Sequence, residues 1–152
     1  MQVKKIVMAS DHAGCELKNA LKEVLQEQGY EILDKGPETY AQSVDYPDYA
    51  FLLAKSIQKE EADIGILLCG SGIGMSIAVN RYPFIRGALV HSQEYAKLSR
   101  MHNDANVLVL GGRFLSKAEA LDIVQVFLTT DFEGDRHCRR VQKLGGMSYD
   151  FD

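Results

Sequence analysis

The stretch DIGILLCGSGIG, residues 63–74, decides the fold. Asp63 to Cys69 is a short, almost wholly apolar run, which suits a strand buried on both faces. Gly70-Ser71-Gly72-Ile73-Gly74 then makes a tight glycine-rich turn, and Met75 to Asn80 opens a helix. Strand, turn and helix in that order form the repeating step of a parallel α/β sheet. Working outward, the step recurs. Lys5 to Ser10 (KIVMAS) reads as a first strand and Asp11 to Gly14 as a turn. Cys15 to Gln28 follows as a helix with Leu17, Ala20, Leu21, Val24 and Leu25 at helical spacing and Gly29 as its stop. Tyr30 to Leu33 is a second strand, Asp34 to Pro47 a loop holding two of the three prolines, and Asp48 to Glu60 a second helix. On the other side, Gly87 to His91 (GALVH) and Asn106 to Leu110 (NVLVL) are strands flanking a helix from Gln93 to His102. Ser116 to Glu119 has capping-box spacing and opens a helix from Lys117 to Leu128; the charged segment Gly134 to Lys143 makes a last one. The alternation predicts a single domain over residues 1–152 with a three-layer, Rossmann-like, doubly wound α/β fold. It consists of a five-stranded parallel sheet and a C-terminal helix.

The 152 residues are 46% hydrophobic and 25% charged, as in an ordinary globular protein. A net charge of -4 argues against a general attraction to nucleic acid or to anionic membrane. No apolar run approaches the roughly 20 residues of a membrane span. Met1-Gln2-Val3-Lys4-Lys5 leads straight into the first strand without the apolar region of a signal peptide, which predicts a cytoplasmic protein. Cys15, Cys69 and Cys138 are odd in number, widely spaced and free of any CxxC pattern. Neither a disulfide framework nor a cysteine-built zinc site is expected, and Cys15 and Cys138 read as incidental.

Ligands of such folds sit at the carboxyl ends of the strands. Asp11 and His12, the run Cys69 to Gly74, His91 and Arg113 all fall there. Glycines let backbone N–H groups approach a ligand, and a cysteine beside a helix N-terminus is a candidate thiolate. The same segment also fits an inert buried cysteine on an ordinary turn. A dinucleotide site fits poorly, since the turn follows the third strand and Asn80 to His91 offers no acid. A P-loop lacks its Gly-Lys-Ser/Thr, and Ser71 is not in a GxSxG elbow. His12 and His102 suit acid–base work or a plain capping role. Arg136 and Arg140 share a helix face and, with Arg113, match phosphate oxygens, or else belong to a solvated charged helix. Asp45 and Tyr46, before Pro47, either shape the start of a helix or reach a sugar hydroxyl.

Six segments in order weigh against the purely structural readings: SDHAG (10–14), DYP (45–47), CGSGIGMSIAVN (69–80), HND (102–104), NVLVLGGR (106–113) and GDRHCRR (134–140). Together they resemble, over nearly the whole chain, the ribose-5-phosphate isomerase B family, which also holds the galactose-6-phosphate isomerase subunits. The resemblance implies interconversion of ribose 5-phosphate and ribulose 5-phosphate without metal or cofactor. It implies a homodimer or dimer of dimers with sites between subunits. It implies Cys69 as the enediol-forming base, Ser71 as its assistant at the substrate oxygens, and His102 as the ring-opening group. Asp11, Asp45, Tyr46 and Asn103 are implied to hold sugar hydroxyls, and His12, Arg113, Arg136 and Arg140 the phosphate. Backbone N–H groups of Gly70, Gly72 and Gly74 are expected to face the developing oxyanion. His102, Asn103 and some arginines are expected from the neighbouring subunit. Members that replace this cysteine carry a glutamate where this chain has Met75, so the cysteine-base branch is implied. His102 and the arginine pair separate this chain from the galactose-6-phosphate subunits. His91 and His137 receive no role. The alternatives are isomerisation of a six-carbon phosphate, such as allose 6-phosphate or galactose 6-phosphate, and a non-enzymatic nucleotide-binding module.

Overall fold

A computed structural model describes residues 2–145; the outer limits of the expected domain, 1 and 152, lie outside the described residues. Five strands alternate with helices: β1 (Lys5–Ser10), α1 (Cys15–Glu27), β2 (Glu31–Asp34), α2 (Tyr46–Gln58), β3 (Ile64–Cys69), α3 (Ile73–Val79), β4 (Gly87–Leu89), α4 (Gln93–Asn103), β5 (Val107–Gly111), α5 (Lys117–Thr129) and α6 (Arg136–Gln142). All strand pairs are parallel and the order is β2-β1-β3-β5-β4. The expected doubly wound sheet and C-terminal helix are both present. Among the described residues no helix is long and apolar enough to cross a membrane.

Each central strand feeds two cores, because side chains alternate across a sheet. Ile6, Met8, Ile66, Leu68, Leu108 and Leu110 face α1, α4 and α5, packing on Leu21, Leu25, Ala96 and Phe127. Val7, Ala9, Leu67, Cys69, Val107 and Val109 face α2 and α3, packing on Leu53, Met75 and Val79. Burial on both faces explains why these strands read as unbroken apolar runs.

Of the boundaries that differ from the sequence expectation, three have a clear physical cause. α2 begins at Tyr46 rather than Asp48, since Pro47 fits its first turn and Asp45 stands at the N-cap. α3 begins at Ile73, inside the glycine run, because Gly72 takes the left-handed N-cap conformation (φ 81°). β4 stops at Leu89, since it lies at the sheet edge and pairs only with β5.

The loop after β2 is ordered by a contact that the sequence reading did not single out. Lys18 of α1 is fully buried, and its amine lies 2.7 Å from Asp34 Oδ1 and 2.8 Å from the Pro37 carbonyl. Lys22 reaches Asp34 Oδ2 at 3.1 Å, and the Gly36 N–H donates to Oδ1 at 2.8 Å. Burial pushes the Asp34 carboxyl upward, but hydrogen bonds from Lys18, the Gly36 N–H and Lys22 outweigh it and hold the group below the usual carboxylate value. A carboxyl lowered in the native state adds stability above its unfolded value and loses it as pH falls through the native one. Asp34→Asn is therefore expected to cost about 3 kcal/mol at neutral pH, by stranding the buried Lys18 charge. The gap between variant and parent should shrink below about pH 4, a trend that urea unfolding across the acid range will check.

Candidate active site

Strand order reverses between β2-β1 and β3, so connections leave β1 and β3 in opposite directions and open a crevice at their carboxyl ends. Three chain segments meet there. The Asp11 N–H donates to Leu68 O at 3.1 Å, the Gly112 N–H to Cys69 O at 2.8 Å and the Arg113 N–H to Gly70 O at 3.0 Å. These bonds carry the strand ladder past the last residues of the sheet and hold Asp11, Cys69 and Arg113 in fixed register.

Cys69 is 5% exposed, and its Sγ accepts a hydrogen bond from the Gly72 N–H at 3.2 Å. Ser71 Oγ accepts from the Ile73 N–H at 3.2 Å, which orients the hydroxyl at the start of α3. The Arg113 guanidinium lies flat against the turn: a Cβ on Gly70 would sit 3.1–3.2 Å from it. Gly74 plays the same part for Tyr46, whose ring would stand 2.9–3.1 Å from a Cβ there. Asp11, 8% exposed, accepts the Gly14 N–H on Oδ1 at 3.0 Å. His12 Nδ1 accepts the Val44 N–H at 3.2 Å, so that its imidazole ties down the segment leading to Asp45. His91 lines a cavity of about 450 Å³ with Ser71, Ile73, Phe114, Leu115 and Glu119. Its position beside Ser71 was not legible in the sequence.

The remaining residues assemble elsewhere. α4 runs antiparallel to the strands and ends at the amino-terminal edge of the sheet. Arg86, just before β4, bonds there to Asp104, with Nε 2.8 Å from the carbonyl oxygen and Nη2 3.3 Å from the carboxylate. His102 and Asn103 therefore lie beyond the far end of β5, while β3 alone spans roughly 17 Å. His102, Asn103, His137, Arg140, Val141 and Leu144 line a cavity of about 360 Å³. The His102 and His137 rings stack at 4.4 Å with 16° between planes, and Glu133 Oε2 lies 3.5 Å from His102 Nε2 and 3.9 Å from His137 Nε2. His137 is 5% exposed, and its Nε2 has no hydrogen-bond partner. Burial lowers its pKa below the usual imidazole value; Arg136, His102 and Arg140 add to this and Glu133 opposes it. Arg136 opens α6 and Arg140 follows one turn later. One copy of the chain thus holds these residues in two groups at opposite ends of its strands. Sequence reading named residues in both groups but missed Glu133 and left His137 without a role, because the ring stack and the shared carboxylate are tertiary contacts.

Of the other two thiols, Cys138 is exposed and Cys15 is buried in α1, where its Sγ donates to the Pro37 carbonyl at 3.2 Å. Burial pushes the Cys15 thiol up, which suits an inert packing role.

A parallel sheet with a thiol, a carboxylate, imidazoles and an arginine at its switch point defines a small-molecule α/β enzyme. A family model described as Ribose/Galactose Isomerase matches residues 6–144. A putative sugar phosphate isomerase of Bacillus subtilis is 45% identical over 140 residues, covering 92% of this chain and 94% of that protein. Ribose-5-phosphate isomerase B of Escherichia coli is 43% identical over 143 residues, covering 93% and 95%. Among solved structures, a ribose 5-phosphate isomerase of Thermotoga maritima superposes with a TM-score of 0.91 at 51% identity, covering 95% of this chain and 98% of that one. Ribose-5-phosphate isomerase B of Mycoplasma genitalium, solved with bound ribulose-5-phosphate, gives 0.88 at 41% identity, covering 95% of each. The chain belongs to the ribose/galactose isomerase family, and it is an isomerase.

Gly72 meets two constraints at once. Its φ of 81° lies in the left-handed region, and a Cβ there would sit 2.5 Å from Leu89 Cδ1 and 3.1 Å from the Leu110 carbonyl carbon. Gly72→Ala is expected to cost about 2–3 kcal/mol in chemical denaturation, the sum of backbone strain and overpacking.

Proposed function

We propose that the chain interconverts D-ribose 5-phosphate and D-ribulose 5-phosphate through a cis-enediolate, in sites that two copies complete together. The observation that carries this reading is the buried Cys69 thiol at the last position of β3, with the Gly72 N–H on its sulfur. That N–H and the start of α3 are the polar groups the structure sets against the sulfur.

The substrate arrives as a closed furanose. His102 of a second copy moves the protons of ring opening: one leaves the anomeric hydroxyl, the C1–ring-oxygen bond breaks, and the ring oxygen takes a proton. Cys69 then removes the C2 proton of the open aldehyde, and the electron pair moves to the C1 oxygen. Backbone N–H groups of Gly70–Gly74 stabilise that oxyanion, at about 3–4 kcal/mol per strong donor. Ser71 passes a proton between the two substrate oxygens, and Cys69 returns its proton to C1 to give the ketose. Electrons are only redistributed between neighbouring carbons, so the reaction calls for no redox cofactor.

Asp11, Asp45, Tyr46 and Asn103 hold the hydroxyls. His12, Arg113, Arg136 and Arg140 hold the phosphate, and that remote binding aligns C1 and C2 with the sulfur. The two half-sites support assembly: a substrate touching both Cys69 and His102 needs the second copy, as a homodimer or dimer of dimers.

Incubation with ribose 5-phosphate and EDTA, followed by proton NMR, should show ribulose 5-phosphate. Absence of conversion with an active control enzyme would reject the reading. Cys69→Ala should lower kcat by about 10³-fold or more while substrate still binds by calorimetry. Retention of near-normal turnover would remove Cys69 as base. Arg140→Ala should raise KM about tenfold or more, through loss of a charge-assisted phosphate contact.

A further inference from the structure

Glu133 lies between α5 and α6, outside the residues given roles above, yet it is tightly placed. Its backbone N–H donates to the Met101 carbonyl at 3.0 Å, which fixes it against the last turn of α4 beside His102. Its Oε2 lies closest to His102 Nε2, at 3.5 Å, and next to His137 Nε2, at 3.9 Å. His137 is stacked on His102 and closes one of its faces.

These three groups also have the composition of a metal site. The ring geometry decides against that use. A zinc-class ion sits about 2.0–2.1 Å from each imidazole nitrogen and close to each ring plane. Two planes only 16° apart, with centroids 4.4 Å apart, do not converge on such a point. A carboxylate beside an imidazole suits proton handling instead, since it fixes the tautomer and stabilises the imidazolium.

We infer that Glu133 is the positioning residue of His102. Its carboxylate keeps a proton on Nε2 and leaves Nδ1 to exchange protons with the sugar, while the His137 ring holds the imidazole plane. The inference rests on the proposed ring-opening role of His102. As His102 takes the anomeric hydroxyl proton on Nδ1, the C1–ring-oxygen bond breaks and the ring oxygen is protonated in turn. The transient imidazolium then lies between the Glu133 carboxylate and the face of His137. Burial, Arg136, His102 and Arg140 lower the pKa of that ring against the opposing pull of Glu133, which disfavours a second positive charge in the stack. The unpartnered, buried Nε2 of His137 follows from the same arrangement, since the one nearby carboxylate oxygen is shared and lies nearer to His102.

Two assays on the full-length protein separate this role from a structural one. Conversion of ribose 5-phosphate begins from a ring. Wash-in of solvent deuterium at C1 of ribulose 5-phosphate does not, because phosphate blocks the oxygen that would close one. Glu133→Gln is expected to lower kcat for the aldose about tenfold or more with KM within about twofold. Its deuterium wash-in should keep the parent rate, and Glu133→Asp should recover part of the loss. Equal slowing of both reactions, or no change in either, would overturn the inference. His102→Asn is the internal reference: if it slows wash-in as much as aldose conversion, the ring-opening reading fails and takes the inference with it. A parent protein inactive in both assays would reject the isomerase reading itself. Activity lost to EDTA and restored by zinc would assign the cluster to a metal instead.

Discussion

The structure depends on how closely three parallel strands can bring their backbones together as they leave the sheet. At the ends of β3 and β5 there is no room for a side chain between the segments: a Cβ on Gly111 would stand 2.6 Å from the Ser71 carbonyl oxygen. That approach lets the Gly112 and Arg113 N–H groups bond to the Cys69 and Gly70 carbonyls beyond the regular ladder. A cysteine at the last position of a two-face-buried strand thereby sits where that core meets the carboxyl end of the sheet. The helical turn that follows directs an N–H at its sulfur. Thiol, arginine and aspartate are positioned by the sheet's own hydrogen bonds, and their placement has the stiffness of the core behind them.

Around this rigid centre the chain adds parts by separate devices. The segment after β2 has no regular structure, yet the buried Lys18 and Asp34 pair pins its start to α1 and the His12 imidazole pins its end through Val44. An ion pair this deep adds little net stability, since desolvation offsets most of the attraction. Its value here is placement: it fixes the loop that delivers Asp45 and Tyr46 to the crevice. At the opposite edge, Arg100 and Arg86 both engage Asp104 and close the end of α4, holding His102 and Asn103 at a defined position. Under the proposed function, one copy supplies a rigid base site and another supplies the ring-opening histidine.

Much of this was legible in residue order. The apolar runs of β1, β3 and β5, the helical spacing of α1, the capping box of α5 and the glycine turn each report a local constraint that a short window contains. Boundaries slipped where the local signal was ambiguous. β4 is shorter than its apolar run because an edge strand pairs on one side only. α2 starts earlier because Pro47 shapes its first turn and does not precede it. Cys69, Ser71, Asp11 and Arg113 could be named from their positions after strands, since a parallel sheet sends every carboxyl end to one side.

Other features had no local signature. Lys18 reads as an ordinary surface lysine on an amphipathic helix, and its burial follows from where β2 places Asp34. His102 sits in a motif, yet its residence at the far edge of the sheet follows from helix direction, which only the assembled topology supplies. Glu133, 31 residues from His102 in sequence, meets it because the segment between α5 and α6 folds back on α4. Sequence by itself determined the strands, the glycine turn and the chemical groups, because hydrophobic period and backbone stereochemistry act over a few residues. The tertiary structure alone decided which of those groups share a crevice, which are kept apart, and which charges are buried. Those outcomes depend on strand order and crossover direction, which are properties of the whole chain.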